Sequence, residues 1–208
     1  MYIGGSIKQY IDDAASGKPA PGGGSVSALA AALGASMGSM VCNFTVGKEK
    51  FKEVEPRAKE IMSICEKSRT ALLSLMDRDV EEYSKVTAAY GMPKETDEQK
   101  TARKAAIQEA LKSAMLVPLE AFRACLNVLE QMKDLAEIGN PNLISDVGVA
   151  AILSAAGLAG AKLNVDINLS FIKDEELIKK VRNEVENGAH LAKNIEAEVV
   201  AKVKEKIG

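Results

Sequence analysis

The 208 residues include no tryptophan, one histidine and three cysteines. Each shortage removes a class of chemistry. A single histidine, His190, excludes histidine-based triads and argues against a zinc centre. It lies two residues from both Gly188 and Ala192, off the apolar stripe of its helix, and reads as a surface residue. Cys42, Cys65 and Cys125 are odd in number, far apart and set in apolar stretches, so buried free thiols are expected, with no disulfide framework and no metal site. No basic excess is present either: the formal net charge is −2, which argues against nucleic acid as a partner. Aromatics are only 4%, their place taken by alanine and glycine, a composition suited to close helix–helix packing. Met1 to Tyr10 has no charged head followed by an apolar run, so no signal peptide is expected and the cytoplasm is the expected compartment. No segment alternates convincingly as a strand, although Asn164 to Phe171 does so weakly.

What is present is helical periodicity. A short helix is predicted over Ser6 to Ala15, ended by Gly17 and Pro19. The loop Lys18 to Gly24 follows, with Ser25 as the expected N-cap of a small-residue helix. Val26 to Val46 carries no charge over 21 residues, long enough to cross a bilayer. Its larger residues, Val26, Leu29, Leu33, Met37, Met40, Val41 and Phe44, recur at three and four with Ser, Ala and Gly between them, which favours a buried helix over a membrane span. A long helix is predicted from Pro56 to about Ala89, and another from Asp97 to Ile138 with a kink at Pro118. A second small-residue helix spans about Ser145 to Leu163, an irregular link covers Asn164 to Ile172, and a last amphipathic helix follows. The expected fold is all-α, one domain over residues 1–208, a bundle of long amphipathic helices around two helices rich in small residues.

Without histidine, acid–base chemistry falls to carboxylates, lysines or tyrosines. Asp146 closes the polar run Asn140-Pro141-Asn142-Leu143-Ile144-Ser145-Asp146 directly before an apolar helix. It is either a candidate catalytic group or a helix cap. Asp79 is seven residues from both Leu72 and Val86 and so falls on the apolar stripe of its helix. A carboxylate there is either functional or paired with another helix, and Arg78 points elsewhere. Gly22-Gly23-Gly24-Ser25 before a helix resembles an anion-binding cluster of amides, without the lysine or spacing of a P-loop.

Together these residues resemble a known family. Pro19-Ala20-Pro21-Gly22-Gly23-Gly24-Ser25, then Ala28, Leu29, Ala32 to Ala35, Met40, Val41, Thr45 and Gly47-Lys48, are similar to the opening of the formiminotetrahydrofolate cyclodeaminase and methenyltetrahydrofolate cyclohydrolase family. Asp79, Tyr83 and Val86, Val117-Pro118-Leu119, Gly139-Asn140 with Asn142, Ser145-Asp146, Val149 to Ala151, Asn164-Val165 and Ile167-Asn168-Leu169 extend the likeness over nearly the whole chain.

The resemblance implies an all-helical homodimer that binds a folate between helices and needs neither metal nor redox cofactor. One family reaction closes formiminotetrahydrofolate to methenyltetrahydrofolate with loss of ammonia. The other adds water to methenyltetrahydrofolate and opens it to formyltetrahydrofolate. In both, a tetrahedral carbon bridges two folate nitrogens while an amidinium cation forms or disappears, which a carboxylate can stabilise while it moves a proton. Asp146 is accordingly expected as the proton-transfer group and Asp79 as the electrostatic or pterin-binding partner. Lys48, Lys50 and the Gly22 to Ser25 amides are expected at the glutamate tail, with Asn142 and Ser145 as further substrate contacts. Cyclodeamination is the favoured reaction. The reading from another class is a non-catalytic helical interaction protein.

Overall fold

In the computed structural model, which describes residues 2–208, the periodic segments form six helices: α1 (Ile7–Ala14), α2 (Gly23–Asn43), α3 (Glu55–Tyr90), α4 (Asp97–Ile138), α5 (Ile144–Leu169) and α6 (Glu175–Ile207). Single 3-10 turns, Glu49–Phe51 and Pro141–Leu143, precede α3 and α5. No strand occurs among the described residues. The ends obey local chemistry. Ser6 caps α1, Asp174 caps α6, and Thr96 with Gln99 forms a capping box on α4. α4 continues as one helix through Pro118. The ring removes one intrahelical bond, but the buried stripe Ile107, Leu111, Met115, Leu119, Phe122, Leu129 and Met132 holds both halves to the same core.

The small-residue helices α2 and α5 lie antiparallel and in direct contact. Gly34 faces the Ala150 carbonyl and Ser154, while Gly157 faces Ala31 and the Ser27 carbonyl. A Cβ on Gly157 would stand 2.8 Å from both the Ala31 Cβ and the Ser27 carbonyl oxygen. This seam sets the orientation of α2. Its small residues Ala28, Ala31, Ala32, Gly34 and Ala35 are buried, whereas Val26, Leu33 and Phe44 face outward. The backbones can approach this closely only if little more than a methyl group lies between them, so the larger side chains point away from the seam, Val41 and Leu158 into the core and Leu33 and Leu163 outward.

α3, α4 and α6 cover one side of the pair, through α2–α3, α4–α5 and α5–α6 packing. The long helices pack against the α2–α5 pair as the bundle expected from the sequence, and leave one face of the pair uncovered. The open face carries Leu33 at 50% exposure and Leu163 at 69%, with Val149, Ile152 and Ile167 beside them. Both helices are long and apolar enough to cross a membrane, Gly23–Asn43 with mean hydropathy 1.5 and Pro141–Leu169 with 1.8.

The weakly alternating stretch after Leu163 is helical as far as Leu169. Val165 and Leu169, four apart, are both buried, and Asn164 and Asn168 bond back to the carbonyls of Gly160 and Asn164. Core packing thus overrides the low helix propensity of asparagine. His190 is exposed, as expected, and the three cysteines are buried and free, their thiols pushed up to about 12 by burial.

If the seam sets the fold, Gly157→Ala destabilises the protein by about 1–3 kcal/mol through overpacking, despite a helix-propensity gain of about 1 kcal/mol. Thermal melting measures this, and a raised Tm would show that the seam has slack.

Candidate active site

Asp79 and the glycine loop, two separate candidates in the sequence, meet. The Ala20–Pro21 peptide is cis, and Gly22 serves as the N-cap of α2, one turn earlier than the expected cap at Ser25. Ser25 is instead fully buried inside the first turn, where its backbone N–H donates to Asp79 Oδ2 at 3.1 Å. Its hydroxyl lies 3.0 Å from the Tyr10 hydroxyl, which α1 holds in the core. The anion that the amide cluster accepts is therefore the chain's own carboxylate, seated at the positive end of α2.

Gly24 is required for that approach, because a Cβ there would fall 2.2 Å from Asp79 Oδ1. No cation pairs with Asp79 among the described residues. Arg78 turns to Glu120 in a bidentate contact, as expected, which removes the interhelical ion pair as an account of Asp79. Burial raises the Asp79 pKa above its ordinary value, opposed in part by the Ser25 amide.

This carboxyl forms part of the wall of a cavity of about 540 Å³. α2 contributes Gly23 and Gly24 to it, α3 contributes Asp79, Glu82, Tyr83, Val86 and Tyr90, and α4 contributes Leu111 and Ala114. Asn164, Ile167 and Asn168 come from α5 and Phe171 from just beyond it, at the spacing of one helix face. Glu82 accepts from Ser113 at 2.7 Å and from Lys85 at 2.6 Å. Burial alone would raise its pKa, but Lys85, Ser113 and Arg78 outweigh that and hold it below the usual carboxylate value. The cavity thus has two carboxyls of different character and no cationic side chain. It suits a flat, partly apolar ligand with a positive or donor-rich edge.

The other sequence candidates lie elsewhere. Asp146 sits in the first turn of α5, 18 residues before Asn164, which places it about 27 Å away along the helix. Ser145 and Asn142 are exposed beside it, the Asn142 N–H donating to Asn140 Oδ1. Lys48 and Lys50 are exposed near the same end; Lys50 stacks over Phe51 and borders a separate hollow with Lys52 and Lys206. The chain therefore brings Gly22 to Gly24 and Asp79 together, and holds Asp146, Asn142, Ser145, Lys48 and Lys50 at the opposite end of the α2–α5 pair.

Glu82, Tyr90, Asn164, Asn168 and Phe171 were not singled out as site residues. For the last three the signal was the i, i+4, i+7 spacing, obscured by reading that segment as an irregular link.

The family model described as formiminotransferase-cyclodeaminase matches residues 6–187, which contain every residue of this cavity. The chain belongs to that family. It is 43% identical over 202 residues to the methenyltetrahydrofolate cyclohydrolase of Methylorubrum extorquens, covering 95% of this chain and 97% of that one. The formimidoyltransferase-cyclodeaminase of Rattus norvegicus is 33% identical over 180 residues, 86% of this chain and 33% of the rat protein, so the family domain here corresponds to about a third of that longer relative. Among solved structures, formiminotetrahydrofolate cyclodeaminase from Thermotoga maritima superposes with a TM-score of 0.79 at 33% identity, covering 97% of this chain and 94% of its own.

The raised pKa of Asp79 has a consequence for stability. A carboxyl whose folded-state pKa lies above its unfolded value contributes stability below the unfolded pKa, and that contribution is lost as pH rises through the folded one. Asp79→Asn should therefore leave Tm unchanged or higher at pH 7, with the advantage over wild type shrinking toward pH 4. Melting curves at the two pH values test this; a variant that is less stable at pH 7 would show that the ionised carboxylate stabilises the helix terminus.

Proposed function

We propose that the chain hydrolyses 5,10-methenyltetrahydrofolate to 10-formyltetrahydrofolate, with the pterin and its amidinium carbon held in the Asp79 cavity. The observation that carries this choice within the family is the 43% identity to a cyclohydrolase over essentially the full length of both proteins. The geometry is compatible with the chemistry. The methenyl substrate is a cation, and a cavity with two carboxyls and no cation favours it. A cation beside Asp79 offsets the burial that disfavours its ionised form. The carboxylate then takes a proton from water as the oxygen attacks the amidinium carbon, giving a hydroxyl-bearing tetrahedral carbon between N5 and N10. Return of that proton to N5 as its bond to carbon breaks leaves the formyl group on N10; the hydroxyl proton is released. Glu82, held ionised, supports the positive charge of the bound substrate throughout.

Cyclodeamination, favoured by resemblance alone, is the second reading. The likeness to the Thermotoga cyclodeaminase supports it, and the same carboxyl would protonate departing ammonia. The methenyl chromophore discriminates: decay from supplied methenyltetrahydrofolate, faster than without enzyme, supports hydrolysis, whereas its appearance with ammonia from formiminotetrahydrofolate supports deamination. Asp79→Asn should reduce turnover about a hundredfold in either case. The kcat/KM profile should fall on the acid side at a pH above the ordinary carboxylate value of about 3.9, since the raised Asp79 must be ionised to act as base. Wild-type turnover in Asp79→Asn would remove Asp79 from the mechanism.

The open α2–α5 face supports a homodimer. Its outward residues Val26, Leu33, Val149, Ile152, Leu163 and Ile167 form an uncharged patch of the kind that a second copy covers about a twofold axis. Light scattering should give a dimer, and Leu33→Glu with Leu163→Glu should give a folded monomer; a dimer that survives both changes would place the interface on another face. Asp146 reaches a cavity only from such a partner. Mixing Asp79→Asn with Asp146→Asn chains therefore tests its expected catalytic role: regained activity assigns Asp146 to the partner's cavity, and its absence leaves Asp146 as a helix-terminus carboxylate.

A further inference from the structure

The Asp79 cavity does not end at its aromatic wall. Tyr90 and Phe171 also line a second hollow of about 430 Å³, so the two hollows adjoin at these rings and together make a groove. The groove changes sign along its length. On the Asp79 side the charged lining consists of Asp79 and Glu82; on the far side it consists of Lys104 and Lys173, with no carboxylate among the lining residues. Neither lysine has a carboxylate within ion-pair distance among the described residues, although Lys100, one turn from Lys104, is paired with Asp97, and Lys112 with Asp174, the residue after Lys173.

The far side is also held in shape. Gln108 accepts from the Lys173 N–H at 2.8 Å and donates to the Phe171 carbonyl at 3.0 Å, so one carboxamide on α4 clamps the link that carries both the ring and the cation. Opposite it, the Arg103 guanidinium donates to the Tyr90 carbonyl at 2.9 Å and lies 5.9 Å from the centre of that ring.

We infer that this second hollow is the subsite for the anionic, glutamyl end of the ligand, with Lys104 and Lys173 pairing with its carboxylates and Tyr90 and Phe171 flanking the aryl ring between the two ends. The inference rests on the folate reading of the Asp79 cavity, and it draws on the charge order of the groove: carboxyls, then aromatic rings, then cations. A folate has the complementary order, with a cationic or donor-rich pterin, an aryl linker and a carboxylate tail. Lys48 and Lys50, the lysines first expected there, border no part of this groove. Because both cations are exposed, their effect is modest and screened by salt. It grows with the number of tail carboxylates.

The test compares monoglutamyl and triglutamyl methenyltetrahydrofolate. In the wild type the triglutamate has the lower KM. In Lys104→Gln with Lys173→Gln, that advantage shrinks about fivefold, as loss of two exposed ion contacts gives, with kcat unchanged. Added salt should shrink the wild-type advantage in the same direction. Removing two exposed lysines on the far helix, Lys193→Gln with Lys204→Gln, should leave it intact; an equal loss there would reduce the effect to overall charge and overturn the subsite.

A probe without a pterin separates this inference from the reaction assigned above. Calorimetry with p-aminobenzoyl-triglutamate reads the tail subsite directly, without turnover. Binding by wild type that weakens about fivefold in the Lys104/Lys173 double variant supports the subsite even if methenyltetrahydrofolate is not hydrolysed. Turnover of methenyltetrahydrofolate with the same triglutamate advantage in wild type and double variant overturns the subsite and leaves the proposed reaction standing.

Discussion

The contact between α2 and α5 governs the rest of the molecule. Two helices whose facing residues are glycine, alanine and serine can bring their backbones together, and each glycine in the seam sits against a partner's backbone or short side chain. Such contact is maintained by dispersion between closely spaced atoms. It keeps the larger apolar residues out of the seam: Val41, Val147 and Leu158 enter the core, while Val26, Leu33, Val149, Ile152, Leu163 and Ile167 turn outward and produce the uncharged face. It also fixes how the ends align: the antiparallel seam places Gly23 of α2 against Asn164 of α5 at one end. The cavity is built where that end meets the C-terminal part of α3, so its position follows from the seam rather than from any local motif.

The helical architecture was legible because periodicity over long segments survives most local exceptions. α3 and α4 were bounded to within a residue or two, and the free, buried thiols and exposed His190 followed from position alone. The direction of α2 was left open. Its large residues form a regular stripe, and a stripe is ordinarily read as the buried side; only the density of glycine and alanine on the opposite side indicated that closeness, not bulk, was being selected. The expected Ser25 cap failed for a related reason. The backbone of Gly22 could serve as cap, which freed the serine hydroxyl for Tyr10 and its amide for Asp79.

The site was half legible. Asp79 stood out as a carboxylate on an apolar stripe, and the glycine loop as a cluster of amides, but sequence has no means of showing that one satisfies the other across 54 residues. Asp146 and its polar neighbours have the composition of a site, and in a single chain they occupy the other end of the bundle. Asn164 and Asn168 were hidden by a polar–apolar alternation that imitates a strand. Their amide nitrogens bond back into the helix at 2.8 Å each, and this supports a helical course that their intrinsic preference disfavours.

The scarcity of aromatic residues has an optical consequence. The chain has four tyrosines and no tryptophan, and two of the four, Tyr83 and Tyr90, line the Asp79 cavity. Tyr10 is buried at the Gly22 end of α2 with its hydroxyl 3.0 Å from that of Ser25, and Tyr2 meets it edge to face with ring centres 5.2 Å apart. Ultraviolet emission from this protein therefore comes from two local groups, one in the wall of the cavity and one behind the Asp79 carboxyl. With no indole to drain the excitation, a ligand entering the groove quenches half of the native fluorophores directly, so the molecule carries its own occupancy reporter.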